Sequence, residues 1–277
     1  MIRRFILGLF LGGLITLPLW ASTASWPGQE IVHQLNLLGV RDYERNDYAK
    51  AAGIFEQALK AHAAFKTPQD LSYGQVLHNL ATAYFYLGER QKAVPLFLEA
   101  ASIRERYLGG NHPEVAQTLS NLAILYLFDR NYDQAEPLFQ RALQIRGTVL
   151  GPEHVETART LHDLAELYRK KGNYGEALAL HDEALRIRLK SEPGSQFTGA
   201  SYYHRGEIFQ AEHRVAEATE AYRKAYEILK AALGPGHFFT KMAAGRLYEI
   251  THGTEGVFSP RCEAAKAMET TDHRLQT

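Results

Sequence analysis

Asn79-Leu80-Ala81, Asn121-Leu122-Ala123 and Asp163-Leu164-Ala165 are three copies of one triplet, each followed three residues beyond its alanine by a tyrosine. They recur every 42 residues. A unit this short cannot bury its apolar face alone, so stacked copies must cover one another, and the result is an elongated solenoid. The triplet therefore sets the fold before any other part of the chain is read.

Outward from it, the small residue continues at both ends as Gly39, Ala81, Ala123, Ala165 and Gly206, with spacings of 42, 42, 42 and 41. A second small column follows at Ala51, Ala93, Ala135, Ala177 and Ala218, and a third at Ala58, Ala100, Ala142, Ala184 and Ala225. Helices approach closely only where side chains are small, so these columns mark where a first helix (A) crosses a second helix (B) and the next A. Large residues fill the remaining interface: Tyr84, Tyr126, Tyr168 and Phe209 in one column, Phe55, Phe97, Phe139 and Tyr222 in another. His181 interrupts the second column and is read as a packing variant with a hydrogen-bonded ring. Apolar residues at three- and four-residue intervals, as in Leu77, Leu80, Ala81 and Tyr84, give each helix one buried stripe.

The boundaries are also legible. Asn46, Gly88 and Gly172 occupy the A–B turn, where a left-handed backbone suits Gly or Asn; Arg130 and His213 stand in the same slot, with Asn131 available beside Arg130. Pro95 and Pro137 are expected in the opening turn of helix B, where no helical N–H is lost. Between copies run Leu108-Gly109-Gly110-Asn111-His112-Pro113, Leu150-Gly151-Pro152-Glu153-His154 and Leu233-Gly234-Pro235-Gly236-His237. Weaker equivalents are Thr67-Pro68-Gln69-Asp70 and Glu192-Pro193-Gly194-Ser195. Gly ends helix B, and His, Asp or Ser precedes the next helix A. Successive copies displace the turn histidines by roughly 10 Å or more, too far to share an ion with ligands at about 2 Å, so capping or packing is their expected role.

These columns resemble tetratricopeptide repeats, and the Leu-Gly-x-x-His-Pro turn with the 42-residue period resembles the longer variant of kinesin light chain and many bacterial repeat proteins. The resemblance implies an all-α, right-handed superhelical solenoid of antiparallel helix pairs whose inner wall is formed by the A helices. It covers Ile31 to about Lys230. Copies fall at about 31–67, 68–109, 110–151, 152–192 and 193–234, with a further helix at 237–250, giving an array over 25–250 and a tail at 251–277. The first and fifth copies depart from the pattern at Leu37, Asp42, His204 and Arg205, as capping copies do.

By periodicity, the residues one, four and five after the small position face inward. They are Val40, Tyr43 and Glu44; Thr82, Phe85 and Tyr86; Ile124, Leu127 and Phe128; Glu166, Arg169 and Lys170; and Glu207, Gln210 and Ala211. Preceding positions add Asn36, His78, Asn79, Ser120, Asn121, His162, Asp163, Tyr203 and His204. The groove is thus apolar and aromatic towards its amino-terminal half and charged towards the other. A first inner column of Val, Thr, Ile, Glu and Glu does not support a clamp for a terminal carboxylate. In the resembling family the inward Asn, matched by Asn79 and Asn121, often bonds the backbone of an extended peptide. Packing of Phe85, Leu127 and Phe128 between copies is the competing reading for those side chains.

Lys plus Arg and Asp plus Glu are each 31, so the net charge is zero and nucleic acid is not an expected partner. Arg3 and Arg4, an uncharged run from Phe5 to Trp20 and then Ser22-Thr23-Ala24 read as a secretory signal peptide at 1–24, with an uncleaved anchor as the alternative. Export places the chain in the periplasm or cell envelope, assuming a bacterial source. Cys262 is the only cysteine and is read as a buried or incidental thiol. The tail after Ile250 is expected to cap the last helices; occupying the groove or staying mobile are the alternatives.

No nucleophile elbow, phosphate loop, dinucleotide fingerprint or His-Glu-x-x-His helix is present, and no cofactor or metal is expected. His78, His162 and Glu166 are the polar candidates for catalysis on one wall, and His162 and Glu166, four apart on a helix, can meet. The expected function is a non-catalytic scaffold binding a peptide segment or protein domain in the groove. Self-assembly into oligomers is the alternative.

Overall fold

The computed structural model describes residues 27–66 and 69–253. Among them are eleven helices and no strand: α1 (Pro27–Glu44), α2 (Tyr48–Phe65), α3 (Leu71–Tyr86), α4 (Arg90–Leu108), α5 (Pro113–Phe128), α6 (Tyr132–Val149), α7 (Val155–Lys171), α8 (Tyr174–Ser191), α9 (Gln196–Ala211), α10 (Val215–Leu233) and α11 (Phe238–His252). The signal-like segment, Thr67-Pro68, Cys262 and nearly all of the tail lie outside the described residues.

Each helix packs on the one before and the one after it. Successive odd helices also touch one another, whereas successive even helices approach less closely. The odd helices are therefore the inner wall. Small residues make this geometry possible: Ala81, Ala123 and Ala165, with all members of the second and third small columns, are fully buried. Where Gly replaces Ala in the first column, the facing ring fills the space. A Cβ on Gly39 would lie 2.4 Å from the Phe55 ring, and one on Gly206 would lie 2.6 Å from that of Tyr222.

Turn chemistry follows the sequence with two corrections. Asn46, Gly88, Gly172, Arg130 and His213 all adopt positive φ. At Arg130 (φ 58°) the arginine itself takes the left-handed conformation, while Asn131, expected to relieve it, has φ −88° and precedes α6. Pro95 and Pro137 lie inside α4 and α6 rather than in their opening turns. Both are solvent-exposed, so water can satisfy the carbonyl one turn back that each leaves without a donor.

The turn histidines are caps. Nδ1 of His112, His154 and His237 accepts from the backbone N–H of Glu114 (3.2 Å), Glu156 (3.1 Å) and Phe239 (3.3 Å), as Asp70 and Ser195 do in their copies. No helix among the described residues is long and apolar enough to cross a membrane.

Candidate functional site

The inner wall carries a groove of about 420 Å³ that runs across α1, α3, α5 and α7, with Phe55 of α2 and Phe97 of α4 behind it. Seven of the twelve expected contact residues line it: Asn79, Thr82, Phe85, Tyr86, Asn121, Ile124 and Asp163. Leu127, Phe128, Glu166, Arg169 and Lys170 do not.

At the amino-terminal end the wall is aromatic. Tyr86 stacks on Tyr48 with ring centres 4.6 Å apart and meets Tyr43 edge-on at 5.7 Å. Burial and the neighbouring Tyr86 oxygen raise the Tyr43 hydroxyl far above the ordinary phenol range, so it stays neutral. Phe85 meets Tyr86 at 5.3 Å and Phe128 of the next copy at 5.6 Å. Phe85, Leu127 and Phe128 all pack against the apolar cluster formed by α5, α6 and α7, and Ile124 is only 4% exposed within it. Their packing between copies is thus real, and only part of each surface is left for a ligand.

The two inward asparagines differ. Asn79 is held in a chain in which Gln75 donates to its Oδ1 (2.8 Å) and its Nδ2 donates to Asn36 (2.9 Å). The chain forms because copy one also has an amide at the matching height. Asn121 makes no side-chain hydrogen bond among the described residues and is half-buried at the groove. Thr82 is anchored to the carbonyl of His78 (2.8 Å).

A column the sequence reading missed supports the wall from below. Arg104, Arg146 and Arg188 recur at 42 residues, near the ends of α4, α6 and α8, and all three are buried. Arg104 donates to Thr118 (2.7 Å) and the Glu114 carbonyl (2.9 Å) on α5 and to Gln75 (2.7 Å) on α3. Arg146 donates to Thr160 (2.6 Å) on α7, reaches Ser120 (3.5 Å) on α5 and pairs with Glu156 (3.1 Å). Arg188 repeats this with the Phe197 carbonyl and Ser201 (3.1 Å) on α9. Each guanidinium thus joins a B helix to the next A helix, and the first two also reach back to the A helix of their own copy. Burial lowers all three pKa values, that of Arg188 to about 10. The signal was present: arginines at a 42-residue interval, each followed by Thr118, Thr160 or Ser201 on the next A helix.

Further along, the charged half of the wall is internally paired. Glu166 takes Arg169 through both oxygens (2.7–3.1 Å) and lies 3.3 Å from Nε2 of His181 and 3.3 Å from Nδ1 of His204. The same His204 nitrogen lies 3.0 Å from Glu207. Burial opposes both carboxylates' charge, yet Arg169 and His204 hold Glu166 well below the usual range and Glu207 below it. Lys170 is exposed.

The suspected His162–Glu166 pair does not form. His162 turns instead against the rings of His181 (5.0 Å) and His204 (5.1 Å), and its Nδ1 has no hydrogen-bond partner among the described residues. Burial, reinforced by His181, Arg188 and His204, holds it well below the ordinary imidazole range.

A family model described as tetratricopeptide repeat matches the chain at residues 72–147 and 128–190. No curated protein matches it in sequence. Among solved structures it is similar to BtubC (BKLC) from P. vanneervenii, at 22% identity and a TM-score of 0.64, covering 74% of this chain and 82% of that one. The nearly identical TPR-like repeats of a putative kinesin light chain from Podosopora anserina align at 24% identity and 0.61, covering 73% and 96%. Aspartyl phosphate phosphatase F from Bacillus subtilis aligns at 16% identity and 0.69, covering 88% of this chain and 61% of that one. At these identities the likeness is one of fold: an all-α solenoid of tetratricopeptide type, with the matched stretch carrying the repeats themselves.

Proposed function

We propose that the protein is a non-catalytic interaction scaffold that holds a peptide segment or a protein domain against the inner wall. The observation that carries the reading is the groove across α1, α3, α5 and α7, with its aromatic end at Tyr43, Phe85 and Tyr86 and an uncommitted amide at Asn121. An extended segment with one apolar or aromatic anchor suits it, the anchor meeting the rings and the backbone meeting Asn121. The longer kinesin-light-chain-like repeat is part of the same proposal. So is a location in the periplasm or cell envelope, which rests on the basic, apolar and small-residue order of positions 1–24.

Removing Phe85 and Phe128 together would also remove packing between copies, so a plug is the cleaner test. Thr82→Lys places a long cation in the groove mouth and leaves the apolar clusters intact. Affinity capture from an envelope extract should lose its specific partner with Thr82→Lys and keep it with Gln140→Lys on α6. Equal capture by both variants, with unchanged helicity, would remove the groove from the account. Self-assembly is separated by solution mass: a concentration-independent monomer eliminates it.

A further inference from the structure

The repeat itself shows what the frame needs at each position, because sister copies occupy the same place. The column of Glu166 and Glu207 elsewhere holds Val40, Thr82 and Ile124; the column of His204 holds Leu37, Asn79, Asn121 and Asp163; the column of His181 holds Phe55, Phe97, Phe139 and Tyr222. All three columns change together, and only where α7, α8 and α9 meet. The frame does not require that change, since residues other than Glu and His complete it in the other copies.

We propose that Glu166, His204 and Glu207 form a binding site for one divalent transition-metal ion on the inner wall, with His181 as a positioning residue. One donor atom from each of the three residues lies within 4.8 Å of the others. Ligands sit at about 2.0–2.2 Å from such an ion, so no two can be more than about 4.4 Å apart, and a small rotation of one carboxylate closes the set. Nδ1 of His204 already lies 3.3 Å from Oε1 of Glu166 and 3.0 Å from Oε2 of Glu207. Coordination through Oε1 would displace the Arg169 Nε–H bond to that oxygen, 3.0 Å, and keep the one to Oε2, 2.7 Å, which would orient the carboxylate from behind. His181, with Nε2 at 3.3 Å, steadies the same group.

Charge permits it. Arg169 and His204 stabilise the charged form of both carboxylates, Arg246 also acts on Glu207, and a divalent ion would take the place of the His204 Nδ1 proton. A second, independent observation is His162, 8% exposed, whose partnerless Nδ1 sits on a ring packed edge-on against His204. Two oxygens and an imidazole nitrogen suit zinc, manganese or cobalt better than the all-oxygen ions calcium and magnesium. Three protein donors leave positions for water or a ligand atom. The site also differs from the turn histidines, whose Nδ1 atoms are committed to capping.

The test uses the full chain without a histidine tag, stripped with chelator and titrated with Co²⁺ by visible absorption and with Zn²⁺ by calorimetry. Saturable uptake of one ion per chain is expected. His204→Gln and Glu207→Gln should each weaken it at least about tenfold, and His112→Asn should leave it unchanged. Should a variant lose helicity, Mn²⁺ line-broadening on the wild-type chain gives the answer, with broadening centred on Glu166, His204 and Glu207. No saturable uptake, uptake that survives in the His204→Gln/Glu207→Gln double variant, or broadening centred elsewhere overturns the assignment.

Discussion

Arg146→Ala is the perturbation that most sharply tests how the copies are joined. Arg146 is 4% exposed and holds α6 to Thr160 on α7 at 2.6 Å and to Ser120 on α5 at 3.5 Å, with an ion pair to Glu156 at 3.1 Å. A hydrogen bond from a charged donor contributes about 1.5–3 kcal/mol, while the Glu156 carboxylate, 37% exposed, is taken up by water once its partner leaves. The guanidinium is itself destabilised by burial, as its lowered pKa shows, so some cost is recovered when it leaves. The expected net loss is about 2–3 kcal/mol, most of it from the buried Thr160 and Ser120 bonds. Arg141→Ala is the matched control: its pair with Glu105 is short, at 2.7 Å, but both side chains are exposed, so at most about 1 kcal/mol is lost. Urea unfolding followed by helix circular dichroism reads the difference. Because Arg146 spans α5, α6 and α7, its removal should also broaden the transition as the two ends of the array uncouple. Equal losses from the two variants, with equally steep transitions, would refute the claim that this column staples the copies.

Three further outcomes follow from the same structure. Arg130→Gly and His213→Gly should each stabilise by about 0.5–1 kcal/mol in urea unfolding, since an L side chain at φ 58° or 60° is strained by about 1–2 kcal/mol and glycine gives part of that back as unfolded-state entropy. Gly39→Ala should destabilise by about 1–3 kcal/mol, because its Cβ would sit 2.4 Å from the Phe55 ring; an unchanged midpoint would show that the ring moves freely. Acid should weaken the fold early: burial depresses His78, His162 and His181, so below about pH 6.5 the unfolded chain takes up protons that the folded chain refuses. Each histidine then contributes a loss of about 1.4 kcal/mol per pH unit until its folded pKa is reached, and urea midpoints that stay level from pH 7.5 to 5.5 would contradict those burials.

The architecture was legible because packing in a repeat array is periodic. Small residues every 42 positions can mean only a recurring close approach, and the buried alanines of all three columns lie where that reading put them. The groove was legible in part. Periodicity says which side of helix A turns inward, and Asn79, Thr82, Phe85, Tyr86, Asn121, Ile124 and Asp163 do line one cavity. It does not say whether inward neighbours satisfy one another. Arg169 and Glu166 are three apart and close on each other; Asn79 reaches Asn36 across 43 residues; Phe85 reaches Phe128 across the same interval. These contacts depend on how far one copy is rotated against the next. Arg130 shows a further limit, since five copies of one turn impose a left-handed residue even where the local sequence offers an asparagine beside it.

The central claim is that partners meet the inner wall, and contact itself is the most direct measurement. A photoreactive amino acid placed singly at Thr82 or Asn121, both lining the groove, or at Gln140, exposed on α6, should separate the two faces. The account predicts a discrete crosslinked adduct from Thr82 and Asn121, suppressed by excess unmodified protein, and none from Gln140. An adduct from Gln140 with none from the inner positions would contradict it.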